Sequence, residues 1–139
     1  MIVLDTNVVS EMMRSKPDIK VLNWLSKFPS AKLFLSVLTV VELRFGVGLL
    51  PEGIDKQKLN SKIEDMVRTQ FAGRMLVFDE ASAYICAELM TVKKAHTPFV
   101  KIVDLQIAAT AISNGFAVAT RDLSDFKHAD LTVINPWTD

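Results

Sequence analysis

Short apolar runs alternate with longer stretches of helical periodicity along the whole chain. Ile2–Leu4 is an apolar triplet ending at Asp5 and reads as a buried strand. Thr6 or Asn7 can cap a short helix reaching Arg14, and Pro17-Asp18 opens a second helix with Ile19, Leu22 and Leu25 among its apolar positions. Leu33–Ser36 predicts a second strand. Thr39 is the expected cap of the next helix, which holds Glu42 and weakens near Gly46 and Gly48. Asp55 begins a long helix striped by Leu59, Ile63, Met66, Val67 and Phe71 and stopped at Gly73. Residues 75–78 predict the third strand. Asp79 caps a helix carrying Ile85, Leu89 and Val92 that runs out before Pro98. Ile102–Asn114 forms another helix, ended by Gly115. Residues 116–120 and 131–134 predict the last two strands, the final one closed by Asn135-Pro136. Strands separated by helices need crossover connections. The expected fold is therefore α/β, a single domain over residues 1–139 with a central, mostly parallel five-stranded sheet and helices on both faces.

That pattern gives four distant carboxylates a shared address. Asp5, Glu42, Asp104 and Asp122 each fall where a strand hands over to a helix or where a helix begins, and a parallel sheet gathers those junctions on one edge. Each has a simpler explanation alone. Asp5 is a turn or cap residue; Glu42 completes the capping-box pattern Thr39-Val40-Val41-Glu42; Asp104 complements a helix dipole; Asp122 is a turn aspartate beside Arg121. Asp104 also heads a stripe of small and apolar residues, Ile107, Ala108 and Ala111, which points it inward, where an acid needs a partner. Asp79 is a cap and the first rival for a place among the four, and Asp125 is the expected cap of a short helix. Two like charges about 4 Å apart at an effective dielectric near 20 repel by roughly 4 kcal/mol, so a cluster of four must take up protons or bind cations. An all-oxygen site suits Mg²⁺ or Mn²⁺. Asn7 can hydrogen-bond the first acid.

Composition narrows the class. Lys plus Arg and Asp plus Glu number 16 each, which argues against a protein that coats nucleic acid by bulk charge but allows local basic patches. Cys86 is the single cysteine, so an intrachain disulfide is excluded and a reducing cytoplasm is the expected location. No apolar run is long enough to cross a membrane, and the opening residues lack a basic signal-peptide start. His96 and His128 lie outside the acidic motifs.

The opening Ile2-Val3-Leu4-Asp5-Thr6-Asn7, the segment Ser36 to Arg44 containing Thr39 and Glu42, the run Asp104-Leu-Gln-Ile-Ala-Ala-Thr110, and Ala119-Thr120-Arg121-Asp122 together resemble the PIN-domain ribonucleases, specifically VapC-like and FitB-like toxins of bacterial toxin–antitoxin pairs. The ending Asn135-Pro136-Trp137 is similar to the FitB-like members. The resemblance spans essentially the whole chain; its ordered set of motifs is specific, although each alone is weak. It implies a metal-dependent endoribonuclease with Asp5, Glu42, Asp104 and Asp122 as the acidic metal site and Asn7 and Thr120 as supporting polar residues. Asp5 and Asp104 are the first choices as direct ligands. It also implies an RNA substrate and a cognate VapB-like antitoxin; a homodimer and a toxin–antitoxin hetero-oligomer are the expected assemblies, with the apolar helices carrying Phe45, Leu49, Leu50 and Phe71 offering the antitoxin groove or the dimer face. Arg121 departs from many relatives at its position. Substrate contact is expected from Arg44, within one turn of Glu42, and from Arg121; Lys93, Lys94, Lys101 and Lys127 can extend that track or serve as solvated surface charges. Two other classes stand beside this reading. An acidic-site phosphatase of the haloacid-dehalogenase type would carry a second Asp where Asn7 stands. A non-catalytic binding module would use the acids only as caps.

Overall fold

The computed structural model describes residues 1–127 and 130–139, and His128 lies outside the described residues. Five strands form one parallel sheet: β1 (Ile2–Leu4), β2 (Leu33–Ser36), β3 (Met75–Leu76), β4 (Ala117–Ala119) and β5 (Val133–Ile134). Their spatial order is β3-β2-β1-β4-β5, with β1 in the centre and every adjacent pair parallel. Ile2 pairs with Leu33 on one side and Ala117 on the other.

The period-two alternation of β1 divides the core. Ile2 and Leu4 join Leu33, Leu35 and Ala119 on one face, where Val8, Val9, Val21, Trp24, Leu43, Val47 and Ile63 pack. These come from α1 (Thr6–Met12), α2 (Ile19–Ser26), α3 (Val37–Gly48) and α4 (Ile54–Asp65). Val3 and Val118 point to the opposite face and meet Ile107, Ala108, Ala111 and Phe126. That face is covered by α5 (Glu80–Lys94), α6 (Ile102–Asn114) and the short α7 (Leu123–Phe126). Burial on both faces explains why the strands read as continuous apolar runs rather than alternating ones.

Several boundaries follow local chemistry. Asp18 caps α2 by accepting from the Lys20 N–H at 2.9 Å, and Asp79 caps α5 by accepting from the Ser82 N–H at 2.9 Å. Gly115 ends α6 in the left-handed conformation, φ 68°, where a side chain would be strained. Some expectations are corrected. Ser36, not Thr39, caps α3: its hydroxyl accepts from the Leu38 N–H at 3.2 Å, and Thr39 is buried inside the helix. Asp125 lies within α7 rather than capping it, and its carboxylate accepts from Lys101 at 2.7 Å. The helix expected to run on toward Gly73 ends at Asp65 and continues as a single wider turn over Met66–Gln70. β3 is two residues long, against four expected, and β4 and β5 are also shorter than expected. Among the described residues, no helix is long and apolar enough to cross a membrane.

The strand order reverses at β1 and β4. The chain passes from β1 outward to β2 and β3, then returns across β1 to lay down β4 and β5. The carboxyl ends of β1 and β4 therefore flank the topological switch point, the usual crevice of such sheets. α6 can lie close above them because Ala108 and Ala111, both fully buried, present only methyl groups to Val3 and Val118. Replacing Ala108 with Leu should overpack this contact and cost about 1–3 kcal/mol. The expected result is a lower urea midpoint at unchanged slope; an unshifted midpoint would show that the helix has room to spare.

Candidate active site

A cleft of about 630 Å³ opens at the switch point, lined by Asp5, Asn7, Glu42, Asp104, Asp122 and Arg121 together with Thr6, Ser10, Glu11, Arg14, Lys101, Ile102 and Val103. All four acids singled out in the sequence reach it. Asp5 arrives from the end of β1, Glu42 from the second turn of α3, Asp104 from the first turn of α6 and Asp122 from just beyond β4. Carboxylate oxygens of Asp5, Glu42 and Asp104 lie within 4.8 Å of one another. Asp122 is the more exposed member, and its carboxylate accepts from Asn7 Nδ2 at 3.2 Å.

Asp5 is 3% exposed. One of its oxygens, Oδ2, accepts from the Thr120 hydroxyl at 2.8 Å; the other, Oδ1, is buried with no hydrogen-bond donor among the described residues. Thr120 Oγ1 in turn accepts from Asn7 Nδ2 at 3.0 Å and from the Asp122 N–H at 3.0 Å. Asn7 Oδ1 accepts from the Arg121 N–H at 3.2 Å. A single hydroxyl thus couples the ends of β1 and β4, and the side-chain amide of Asn7 bridges them a second time. On the other side, Glu42 Oε1 accepts from the Thr6 hydroxyl at 2.6 Å. The capping-box explanation of Glu42 therefore falls, because Thr39 is no cap and the glutamate turns to Thr6 instead.

Burial, reinforced by neighbouring carboxylates, pushes Asp5 and Asp104 toward their neutral forms. Desolvation is the main cause for Asp5, with the charges of Asp104 and Glu42 adding to it, and its carboxyl is pushed up to about 7 although the Thr120 hydroxyl and the Thr6 backbone N–H both act to lower it. Desolvation likewise raises Asp104 to about 6; Lys101 opposes the shift, and Asp125, Glu42 and Asp122 reinforce it. Both acids strongly favour any cation that reaches them. The donor set is oxygen-only, preorganised and partly without protein partners, which fits a hard divalent ion better than a transition metal that prefers sulfur or imidazole.

The remaining predicted residues separate clearly. Arg121 lines the cleft, and its guanidinium lies 5.0 Å from the centre of the Trp137 ring. Arg44 is not brought to the cleft: its guanidinium turns to α4, donating to Asn60 Oδ1 and to Glu64. Lys93 and Lys94 donate to the backbone carbonyls of Ser124 and Pro98, Lys127 is exposed, and Lys101 lines the cleft. Asp79 serves as the α5 cap, and His96 is exposed with its ring bonded to the Val92 carbonyl. Sequence reasoning missed Thr6, Glu11 and Arg14. The signal was present: Asn7, Ser10, Glu11 and Arg14 recur at three- and four-residue steps, a polar stripe that runs along α1 into the turn that follows it.

The acidic crevice opens at the switch point of a 3-2-1-4-5 parallel sheet with an Asp at the end of the central strand, and a PIN domain family model matches residues 2–131. The chain belongs to the PIN domain family. It is 44% identical over 139 residues to Toxin FitB of Neisseria gonorrhoeae, covering all of both chains. It is also 44% identical over 137 residues to VapC ribonuclease Y4jK of Sinorhizobium fredii, covering 99% of this chain and 98% of that one. The crystal structure of FitAcB from Neisseria gonorrhoeae superposes with a TM-score of 0.90 at 43% identity, over the full length of both chains.

The raised acids set the pH dependence of stability. A carboxyl with a higher pKa when folded binds more protons folded than unfolded between about pH 4 and 7, so stability falls as pH rises through that window. Asp5→Asn removes the burden without removing the Thr120 contact. In EDTA, the variant should gain several degrees in Tm over the wild type at about pH 8, and the gain should shrink toward about pH 5. A difference that stays flat across that range would mean Asp5 ionises without penalty.

Proposed function

We propose that this protein is a divalent-metal-dependent endoribonuclease, the toxin of a toxin–antitoxin pair, and that residues 1–139 act as one catalytic domain. The observation that carries the reading is the orphaned Asp5 Oδ1, buried within an oxygen-only triad whose members lie within 4.8 Å of one another. Helix caps explain Asp79 and Asp18, but they do not explain a buried carboxylate with one oxygen left without a donor among the described residues. The similarity to a protein named as a toxin and to one named as a ribonuclease supports the same conclusion.

In this reading Asp5, Glu42 and Asp104 hold Mg²⁺ or Mn²⁺. Asp122, fixed by Asn7, completes the acidic wall and would hold the ion directly or through water. When bound, the ion lowers the pKa of its water and offsets charge growing on the phosphoryl oxygens. Thr120 supports Asp5: the hydroxyl proton on Oδ2 fixes which oxygen stays free and holds the carboxylate's rotamer. Glu42 is oriented in the same way by Thr6. Arg121 meets the RNA backbone at the rim. Five acids and three cations line the cleft, an excess of negative charge that a bound divalent ion would offset. The cellular partner is an antitoxin of the VapB type, encoded to silence the site.

Two measurements test this. The purified, antitoxin-free protein is incubated with total bacterial RNA in Mn²⁺ or Mg²⁺, in EDTA, and as Asp5→Asn. Discrete fragments should form only in metal and only with Asp5; cleavage by Asp5→Asn at the wild-type rate would sink the assignment. Thr120→Val, which keeps the shape but removes the hydroxyl, should weaken Mn²⁺ binding by roughly 10–100-fold. Titration calorimetry reads this directly, and an unchanged affinity would reduce Thr120 to packing.

A further inference from the structure

Three cations line the acidic cleft, and each is tethered by a group outside the four site acids. Lys101 Nζ lies 2.7 Å from Asp125 Oδ2, against 3.9 Å from Asp104 Oδ2. Arg14 Nη1 lies 3.3 Å from Glu11 Oε2, and Glu11 is itself locked, 6% exposed and accepting from the Asp18 N–H at 2.8 Å. The Arg121 guanidinium rests over Trp137 at 5.0 Å. An untethered cation beside this much negative charge would fall onto the carboxylates and fill the place of a metal. Tethering holds each one at the rim, and Lys and Arg carry three and five N–H donors, more than these contacts use. The three come from different elements, the end of α1, the start of α6 and the turn after β4, so they surround the acids rather than lie on one side. Nearby basic residues are engaged elsewhere, Arg44 with α4 and Lys93 and Lys94 with backbone carbonyls.

We propose that Arg14, Lys101 and Arg121 form a three-point track for successive phosphates of a single-stranded RNA, and that Glu11, Asp125 and Trp137 are positioning residues that hold those cations above the acids. This rests on the ribonuclease reading and adds the backbone contacts to it. An unpaired strand is the substrate that fits. Asp5 lies buried at the floor of the cleft, and a phosphodiester must bend down to it, which a rigid duplex does not allow.

The test is the salt dependence of RNA binding. A fluorescein-labelled single-stranded RNA oligonucleotide is titrated with the full chain in Ca²⁺, which occupies oxygen sites, and Kd is followed by anisotropy across ionic strength. Three phosphate contacts predict a log–log slope of about −2 for a single strand, and each of Arg14→Ala, Lys101→Ala and Arg121→Ala should reduce its magnitude by about 0.7. Asp125→Asn should weaken binding several-fold and lower the slope toward that of Lys101→Ala, because the released ammonium turns to Asp104; wild-type affinity and slope would remove Asp125 as a positioning residue. Trp137→Leu should behave alike; if it melts early, Asp125→Asn alone carries the comparison. Unchanged slopes in all three alanine variants overturn the track. Mn²⁺-induced thermal shifts run on the same variants separate the two readings. Retained shifts with unchanged slopes reject the track but leave the metal site standing. Lost slopes in a protein that never binds Mn²⁺ would reject the metal site while keeping the track.

Discussion

Burying the carboxylate of Asp5 at the end of the central strand has a free-energy cost that its own neighbours only partly offset. The Thr120 hydroxyl donates to one oxygen and the nearby Thr6 N–H adds some stabilisation, but Oδ1 has no donor in hydrogen-bond geometry among the described residues. A shift from the ordinary carboxylate value to about 7 corresponds to on the order of 4 kcal/mol favouring the neutral form. The surroundings make this worse, because Asp104 and Glu42 are turned toward it. A fold optimised for stability alone would place an apolar residue there, as at Val3 and Leu4. Under the proposed reading, a bound cation would offset this cost.

The rest of the architecture serves that geometry. The reversal of strand order opens a crevice between the ends of β1 and β4, and backbone pairing fixes those ends, with the Asp5 N–H donating to the Ala119 carbonyl at 2.9 Å. Small residues on α6 let its first turn descend until Asp104 meets Asp5. Polar side chains on α1 then line one wall of the cleft while its apolar side packs Val8 and Val9 into the core. Rigid elements supply the acids and the stripe along α1, and the flanking cations are held by specific partners rather than by the acids themselves.

Much of this was legible in the chain. Ile2–Leu4, Leu33–Ser36 and Ile102–Asn114 were readable to the residue because each is bounded by a strong local signal, an Asp or a cap at one end and Gly115 at the other. The four acids were found because a parallel sheet collects its strand ends on one edge. What escaped depended on tertiary choices. Ser36 and Thr39 are both competent caps, and only the length of β2 decides between them. Arg44 stands near Glu42 in sequence, yet successive helical positions point apart, and Glu64 on α4 captures it. Asp125 carried the chemistry of a cap but found an ammonium 24 residues away. Glu11 went unread because its partner, the backbone N–H of Asp18, is one that no local pattern reveals.

If Asp5, Glu42 and Asp104 act as one desolvated site that holds either protons or a divalent cation, protons must leave when the metal enters, because ligating carboxylates give them up. Counting the protons released when Mn²⁺ binds tests this most directly, by calorimetry in buffers of different ionisation enthalpy. With acids near 6 and 7, binding at about pH 6 should release on the order of one proton per ion, and release should vanish by about pH 8.5. Binding that releases no proton at either pH, or no Mn²⁺ binding at all, would contradict the account.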